Sequence, residues 1–312
     1  MLAPIVLFVY NRPWHTQQTV EALLKNDLAS ESELYIFADG EKLGASMEQK
    51  EKISEVRDYI HSIVGFKEIH IEESAMNKGL ANSVIIGVTK VIEKFGCAIV
   101  LEDDVLTHPF FLQFMNEALK VYENDWRLFM VSGCNYDVRI PWWYYEDVYI
   151  AHRSCSTGWG TWKDRWRMAD WSVSDFETFR KDTVEIEKFN RGGEDMFPML
   201  QAQMDKEIDS WAIRWDYCMY KNDAYCLRTI KTLVTNIGFD GSGVHSGIGG
   251  VKMAPYYDRS RYRIRLKKQI KANRRIEKAF KEHYDMGDNE QSLLFKKIKK
   301  TIKRFFIRIG VE

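Results

Sequence analysis

Short apolar runs separated by amphipathic stretches recur four times in the first third of the chain. The runs are residues 4–10, 34–38 and 97–101, and the alternating Glu68-Ile69-His70-Ile71 takes the third place among the four. Between them, apolar side chains return at spacings of three and four. Val20, Leu23 and Leu24 do so in 16–25, and Ile53, Val56, Ile60 and Ile63 or Val64 in 47–64. A third such stretch runs over 80–95. A run of four to eight apolar residues predicts a strand, and the three-to-four spacing predicts a helix. Strand and helix alternating four times predict right-handed βα units and a parallel sheet. The fourth run, Cys97 to Leu101, is apolar throughout, as a strand covered on both faces requires, and it ends abruptly in Glu102-Asp103-Asp104.

The pattern then changes. Pro109 opens a helix that reaches about Tyr122, and 129–132 reads as a further strand. Aromatic residues crowd the next segment: Trp142, Trp143, Tyr144 and Tyr145, then Trp159, Trp162, Trp166 and Trp171. Gly158-Trp159-Gly160-Thr161-Trp162 reads as a turn carrying large rings. Any single ring of this group fills core; as a cluster, one or two could line an acceptor pocket. Ile208, Trp211, Trp215 and Met219 predict a helix over 205–220, with Asp209 and Asp216 on one face. Residues 233–237 predict a strand that leads into the glycine-rich stretch 238–247.

Polar chemistry gathers at the ends of these strands. The first ends in Tyr10-Asn11-Arg12, the second in Asp39, and the fourth in the three acids; Asn77-Lys78-Gly79 opens the helix over 80–95. Open α/β sheets bind ligands at this edge. Three adjacent carboxylates cost free energy unless positive charge offsets them. A divalent cation with oxygen ligands, Mg²⁺ or Mn²⁺, would do so, whereas the competing role is to cap the following helix. In the glycine-rich stretch, backbone amides can approach phosphate oxygens, and His245 offers a metal ligand or a pyrophosphate donor.

Charge adds an asymmetry that the net value of zero conceals. Residues 259–312 carry 18 Lys/Arg and 6 Asp/Glu, a net of +12, so residues 1–258 carry −12. The basic tail reads as two helices, 261–281 and 292–309. The second sets Ile298, Ile302, Phe305, Phe306 and Ile309 against a ring of Lys and Arg. Such a helix lies in an anionic membrane interface, and its apolar stripe favours lipid over nucleic acid. The alternative is that the helices pack on the acidic body or at a homodimer interface. Five cysteines without a CxxC pair predict a reduced, cytoplasmic chain without a zinc knuckle. The N-terminal run lacks a basic leader and reads as a strand; no run approaches the ~20 residues that span a bilayer.

Four features, spread over about residues 3–250, resemble the GT-A nucleotide-sugar glycosyltransferases. The likeness is to bacterial family 2-like enzymes and the inverting N-acetylglucosaminyltransferase I type. The stretch from Pro4 to Pro13 looks like their opening strand and nucleotide-binding turn. Glu102-Asp103-Asp104 is similar to their acidic metal motif, whose last acid holds the metal, which implies that role for Asp104. Ile208-Asp209-Ser210-Trp211 is similar to their Trp-Asp-Asp-Trp segment, which implies Asp209 as catalytic base; Ile208 and Ser210 depart from it. Gly243-Val244-His245-Ser246-Gly247 looks like the loop that closes over the pyrophosphate.

The resemblance implies a GT-A, Rossmann-like α/β fold: a mixed, mostly parallel sheet flanked by helices. It implies a nucleotide-binding half over about 1–107 and an acceptor half over about 108–258; the basic tail over 259–312 lies outside the resemblance. It implies donor contacts from Tyr10, Asn11, Arg12, Asp39, Asn77, Lys78, Glu102, Asp103, Gly243 and His245, and a metal on Asp104 and His245. The expected reaction is a metal-dependent, inverting hexosyl transfer. It runs from a nucleoside-diphosphate sugar, in the first place a UDP-sugar, to a glycan or lipid-linked glycan in bacterial surface polysaccharide assembly. The expected location is the inner face of the cell membrane. A retaining transferase, a sugar nucleotidyltransferase and a membrane-surface binding protein without catalysis are the rival expectations.

Overall fold

The computed structural model describes residues 1–240 and 264–285. The first third folds as β1 (Ile5–Val9), α1 (Pro13–Leu24), β2 (Glu33–Ala38), α2 (Met47–His61), β3 (Glu68–Glu73), α3 (Leu80–Phe95) and β4 (Cys97–Glu102). Then come β5 (Val105–Thr107), α4 (Phe111–Val121), β6 (Leu128–Ser132), β7 (Val148–Ala151) and β8 (Trp159–Trp162). Short helices α5 (Lys163–Trp166), α6 (Phe176–Phe179), α7 (Thr183–Phe189) and α8 (Met196–Met204) lead to α9 (Trp211–Lys221). The chain continues through β9 (Tyr225–Thr229) and β10 (Val234–Asn236), and α10 (Arg274–Asp285) ends the described part.

Eight strands form one sheet in the order β3-β2-β1-β4-β8-β6-β9-β7. β3, β2, β1 and β4 run parallel, β8 runs antiparallel between β4 and β6, β9 follows β6 in parallel, and β7 closes the edge antiparallel. The fold is the expected mixed, mostly parallel sheet with helices on both faces. Alternation along β1 divides the core. Ile5, Leu7 and Val9 meet Val20 and Leu23 of α1, Val56 and Ile60 of α2 and the inner face of α4. Val6 and Phe8 meet Val84, Val88 and Val91 of α3, with Trp211 and Trp215 of α9 beyond them. Ser46 opens α2 with a reciprocal cap, its hydroxyl accepting from Gln49 N while the Gln49 side chain accepts from Ser46 N.

Two expectations need correction. The segment Trp159 to Trp162 is a central strand, not a turn. Its residues are buried between β4 and β6, where antiparallel pairing with both neighbours overrides the local glycine signal. Trp159, Trp166, Trp211 and Trp215 are core residues: Trp159 and Trp211 stack at 4.6 Å, and Trp166 lies 5.1 Å from Trp215. The helix expected over 205–220 starts only at Trp211, because Lys206 takes φ 61° after the end of α8 and Ser210 caps α9 by accepting from Ile213 N.

The tail is also different where it is described. Residues 264–273 are not helical, and α10 begins at Arg274 rather than 261. Ile264 and Ile270 join the core under α1 and α4, and Ile276 and Phe280 pack on Tyr149 and Ala151 of β7. Arg265 pairs with Asp147, Lys267 with Glu146 and Lys281 with Glu194, so this part of the basic tail meets acids of the body. The helix expected over 292–309 lies outside the described residues.

Gly160 of β8 tests the packing of that central strand. A Cβ there would sit 2.8 Å from Ala98 O and 3.1 Å from the Met115 methyl. Backbone on one side leaves little room to yield, so Gly160→Ala should destabilise the fold by about 1–3 kcal/mol. The measure is the urea unfolding midpoint; an unchanged midpoint would show that the β4–β8 spacing can relax.

Candidate active site

The site lies at the carboxyl edge of the sheet, where β4 ends and the chain passes into β5. Asp103 and Asp104 are each 4% exposed. Buried carboxylates need partners, and Arg12 supplies them: one guanidinium nitrogen pairs with Asp103 Oδ1 and lies 3.0 Å from Asp104 Oδ2. Arg12 can do so because it caps α1, which Pro13 starts at once with a fixed φ. Burial alone would lower the Arg12 pKa, but the two carboxylates more than offset it and raise the value. Burial raises Glu102, reinforced by the charges of Asp104 and Asp103; burial likewise raises Asp103, against the pull of Arg12.

Residues from far along the chain complete the site. β10 pairs antiparallel with β5, which brings Asn236 opposite Val105. The Asn236 amide donates to Asp104 Oδ1 at 3.3 Å, and Ile237 N donates to Asp104 O at 2.9 Å. A Cβ at Gly238 would run into the Asp104 carboxylate, so only glycine lets the backbone pass there. The Thr19 hydroxyl donates to Asp103 O at 2.8 Å, and buried His15 places Nε2 3.1 Å from Asp240. Sequence reasoning missed His15, Asn236, Gly238 and Asp240. The one available signal was that 233–237 leads directly into the glycine-rich stretch.

A second group sits beside the ends of β2 and β3. Asp39 accepts from Gly40 N at 2.9 Å and from Lys78 N at 2.9 and 3.1 Å. Asn77 Nδ2 donates to Gly40 O at 3.1 Å, and Asn77 Oδ1 accepts from Gly79 N at 3.2 Å. These bonds hold Asn77 and Lys78 against Asp39, and a shallow cleft opens there between Phe37, Asp39, Ser74, Lys78 and Ile86. Tyr10 and Asn11 are half-buried at the end of β1, with Lys42 Nζ 6.0 Å from the Tyr10 ring centre. Burial raises the Tyr10 pKa.

Asp209 and Asp216 part company. Asp209 lies in the loop before α9, exposed, and accepts from Ala81 N at 3.3 Å. It therefore sits at the N-terminus of α3, where a negative charge is favoured. Gly79, at φ 79°, passes so close that a Cβ would lie 2.9 Å from Asp209 Oδ2. Asp216 is buried inside α9 and accepts from Ser154 N at 2.5 Å, so the shared helix face expected for the two acids does not exist. Gly243 and His245 lie outside the described residues.

Glu102 does not join Asp103 and Asp104 as a third convergent ligand. Among the described residues, a group of three acidic or histidine side chains within ligand reach of one another is formed by Glu33, Glu68 and His70, partly exposed at the opposite edge of the sheet. The carboxylates of Asp103 and Asp104 nevertheless fit a hard cation, since oxygen donors suit Mg²⁺ and Mn²⁺ and the pair already holds a positive charge in Arg12.

Burial pushes the Asp216 carboxyl up to about 6, opposed by Arg153 and the Ser154 amide. A folded value above the ordinary one near 3.9 means that this group's stabilisation is present below about pH 4 and lost as pH rises through about 6. Asp216→Asn removes that loss. Relative to the unsubstituted protein, the variant should gain on the order of 3 kcal/mol between pH 4 and pH 7.5. Urea unfolding at stepped pH measures this; parallel stability–pH curves would contradict it.

No family model and no curated protein matches this chain. Among solved structures it is similar to S. aureus TarS, with a TM-score of 0.43 and 9% identity over 77% of this chain and 37% of that one. The glycosyltransferase GlyE of Streptococcus pneumoniae TIGR4 gives a TM-score of 0.34 and 9% identity over 72% of this chain and 45% of that one. A UDP-glucose pyrophosphorylase complexed with UDP-glucose gives 0.30 and 11% identity over 54% of this chain and 79% of that one. This chain thus spans little more than a third of TarS, and scores this low attach no function to it.

Proposed function

We propose that the chain is a metal-dependent, inverting glycosyltransferase that moves a sugar from a nucleoside-diphosphate sugar, in the first place a UDP-sugar, to a glycan or lipid-linked glycan hydroxyl. The observation that carries the proposal is the buried Asp103–Asp104 pair at the carboxyl end of β4 with the Arg12 guanidinium laid across it. Acids and a cation held together at this edge of a parallel sheet suit a diphosphate and its counter-ion. Asp104, with Asp103 beside it, would hold Mn²⁺ or Mg²⁺, and His245 is a further candidate ligand. When bound, the cation would neutralise the charge that develops on the departing diphosphate.

The remaining roles fall to the chain's own side chains. Asp39 and Lys78 wall the cleft beside β2 and would hold the nucleoside end of the donor, next to Tyr10, Asn11 and Asn77. Arg12 would face the diphosphate as a fixed positive charge. Asp209 is exposed at the start of α3 and would take the proton of the attacking hydroxyl as its oxygen bonds to the anomeric carbon. The bond from that carbon to the diphosphate breaks in the same step, which inverts the configuration. The location belongs to the proposal too. No helix among the described residues is long and apolar enough to cross a membrane, and the basic tail beyond residue 285 would hold the enzyme on an anionic membrane face.

Incubation with a panel of nucleotide sugars and Mn²⁺, assayed for released nucleoside diphosphate, tests the reading and names the donor. Asp104→Asn should abolish release while the circular dichroism spectrum stays native. Metal-dependent release at near-normal rate from that variant would overturn the assignment. Asp209→Asn should lower turnover by ~10² or more with donor affinity unchanged. An unchanged turnover would remove Asp209 as the base.

A further inference from the structure

The loop between β6 and β7 carries the most exposed large rings among the described residues. Trp142 is 85% exposed and Tyr145 is 73% exposed. They are not the tips of a slack loop. Ile140 and Tyr144 pack on the cluster of Val138, Tyr149, Ile276 and Phe280, and the Tyr144 hydroxyl donates to Val148 O at 2.8 Å. The loop is thus fixed from below while two amphipathic rings stand in solvent between its anchors.

The basic stretch 265–275 runs beside this loop. Arg265 donates to Tyr145 O at 3.1 Å, Lys267 pairs with Glu146, and the Arg275 guanidinium lies 5.3 Å from the Trp143 ring centre. Lys268, Lys271 and Arg274 in the same stretch are exposed, and none has an acidic partner among the described residues. Scattered exposed apolar residues need no explanation. Trp and Tyr raised on a fixed loop and bordered by unpaired cations match what a bilayer interface selects: rings at headgroup depth and positive charge toward anionic lipid.

The topology says which way this surface faces. β6 runs parallel to β4, so the loop leaves β6 at the edge where Asp103 and Asp104 stand. β7 runs antiparallel to β9 and so starts at that same edge. β7 is four strand positions from β4 in the sheet order, on the order of 20 Å at the usual strand spacing.

We propose that Trp142, Tyr145, Lys268, Lys271 and Arg274 form a docking surface for an anionic lipid bilayer, which turns the acid-bearing edge of the sheet toward the membrane. A hydroxyl carried on a lipid headgroup would then be presented beside the site. The inference rests on the membrane part of the proposed function, but on residues other than those of the tail beyond residue 285.

Flotation of the full chain with vesicles of phosphatidylglycerol and phosphatidylcholine tests it, with pure phosphatidylcholine vesicles as the comparison. Trp142→Ser with Tyr145→Ser, and separately Lys268→Glu with Lys271→Glu, should each reduce partition onto the anionic vesicles by about tenfold or more. Only the charge pair should lose its effect at high salt, and release of nucleoside diphosphate without vesicles should be unchanged in both. Phe305→Ser with Phe306→Ser reports on the tail alone. Flotation of both patch variants like the unsubstituted protein, with loss only in the tail variant, would overturn the docking surface and leave the membrane reading standing. No flotation of the unsubstituted protein at low salt would overturn both, while donor cleavage would still stand. Binding to a soluble glycan that the aromatic pair abolishes, with flotation intact, would make the loop a glycan site and overturn the lipid assignment.

Discussion

The charge balance at the end of β4 constrains the rest of the molecule. Asp103 and Asp104 are buried, and an ionised carboxylate away from water is costly unless it is paired and hydrogen-bonded. The fold supplies partners from two distant places. Arg12 comes from the β1–α1 turn and Asn236 from the end of β10, while Thr19 of α1 holds the Asp103 carbonyl. Each is delivered by a different element, so the acids tie the N-terminal βα units to the last strand of the body. Removing one partner would leave charge uncompensated, which is more damaging than removing the whole set.

The second half of the chain belongs to the same sheet as the first. β8 inserts antiparallel between β4 and β6, and its Trp159 stacks against Trp166 of α5 and Trp211 of α9 on one face. The sheet is therefore continuous from β3 to β7, and every strand end on the acid side lies along one edge. That continuity fixes the loop of Trp142 and Tyr145 and the pair Asp103–Asp104 in one rigid relation. The described part of the basic tail adds to it, with Ile264 and Ile270 in the main core and Phe280 against Tyr149.

The parallel half was legible in the sequence because its signals are local. Apolar runs marked β1 to β4, and α3 was placed at Leu80–Phe95 with both ends correct, since Gly79 and Gly96 bracket it. Asp39, Asn77 and Lys78 meet as their place at strand and helix ends suggested. The expected strand over 233–237 is β10, but β7, β8 and β9 were illegible because they are four or five residues long and are held by partners far away in sequence. Trp159 to Trp162 carries the composition of a turn and becomes a strand only because β4 and β6 leave a gap for it. The donors to Asp104 were missed for the same reason: the β5–β10 pairing spans more than a hundred residues, and nothing local in Asn236 or Gly238 announces it.

Ser210 shows what position 210 contributes in this chain. The resembling segment has an acid where this chain has Ser210, which at first weakens the link to Asp209. In the structure Ser210 is the N-cap of α9, its hydroxyl accepting from Ile213 N, and it is half-buried against Gln203. Serine and aspartate are near-equivalent N-caps, so either residue starts the helix at the same place. The start of the helix is what excludes Asp209 from it and leaves that carboxylate at the amino end of α3. The residue that matters at 210 is therefore one that can begin a helix, and the position of Asp209 survives the exchange. Asp216, one turn and a half inside α9, is carried in the other direction, onto Ser154 in the core.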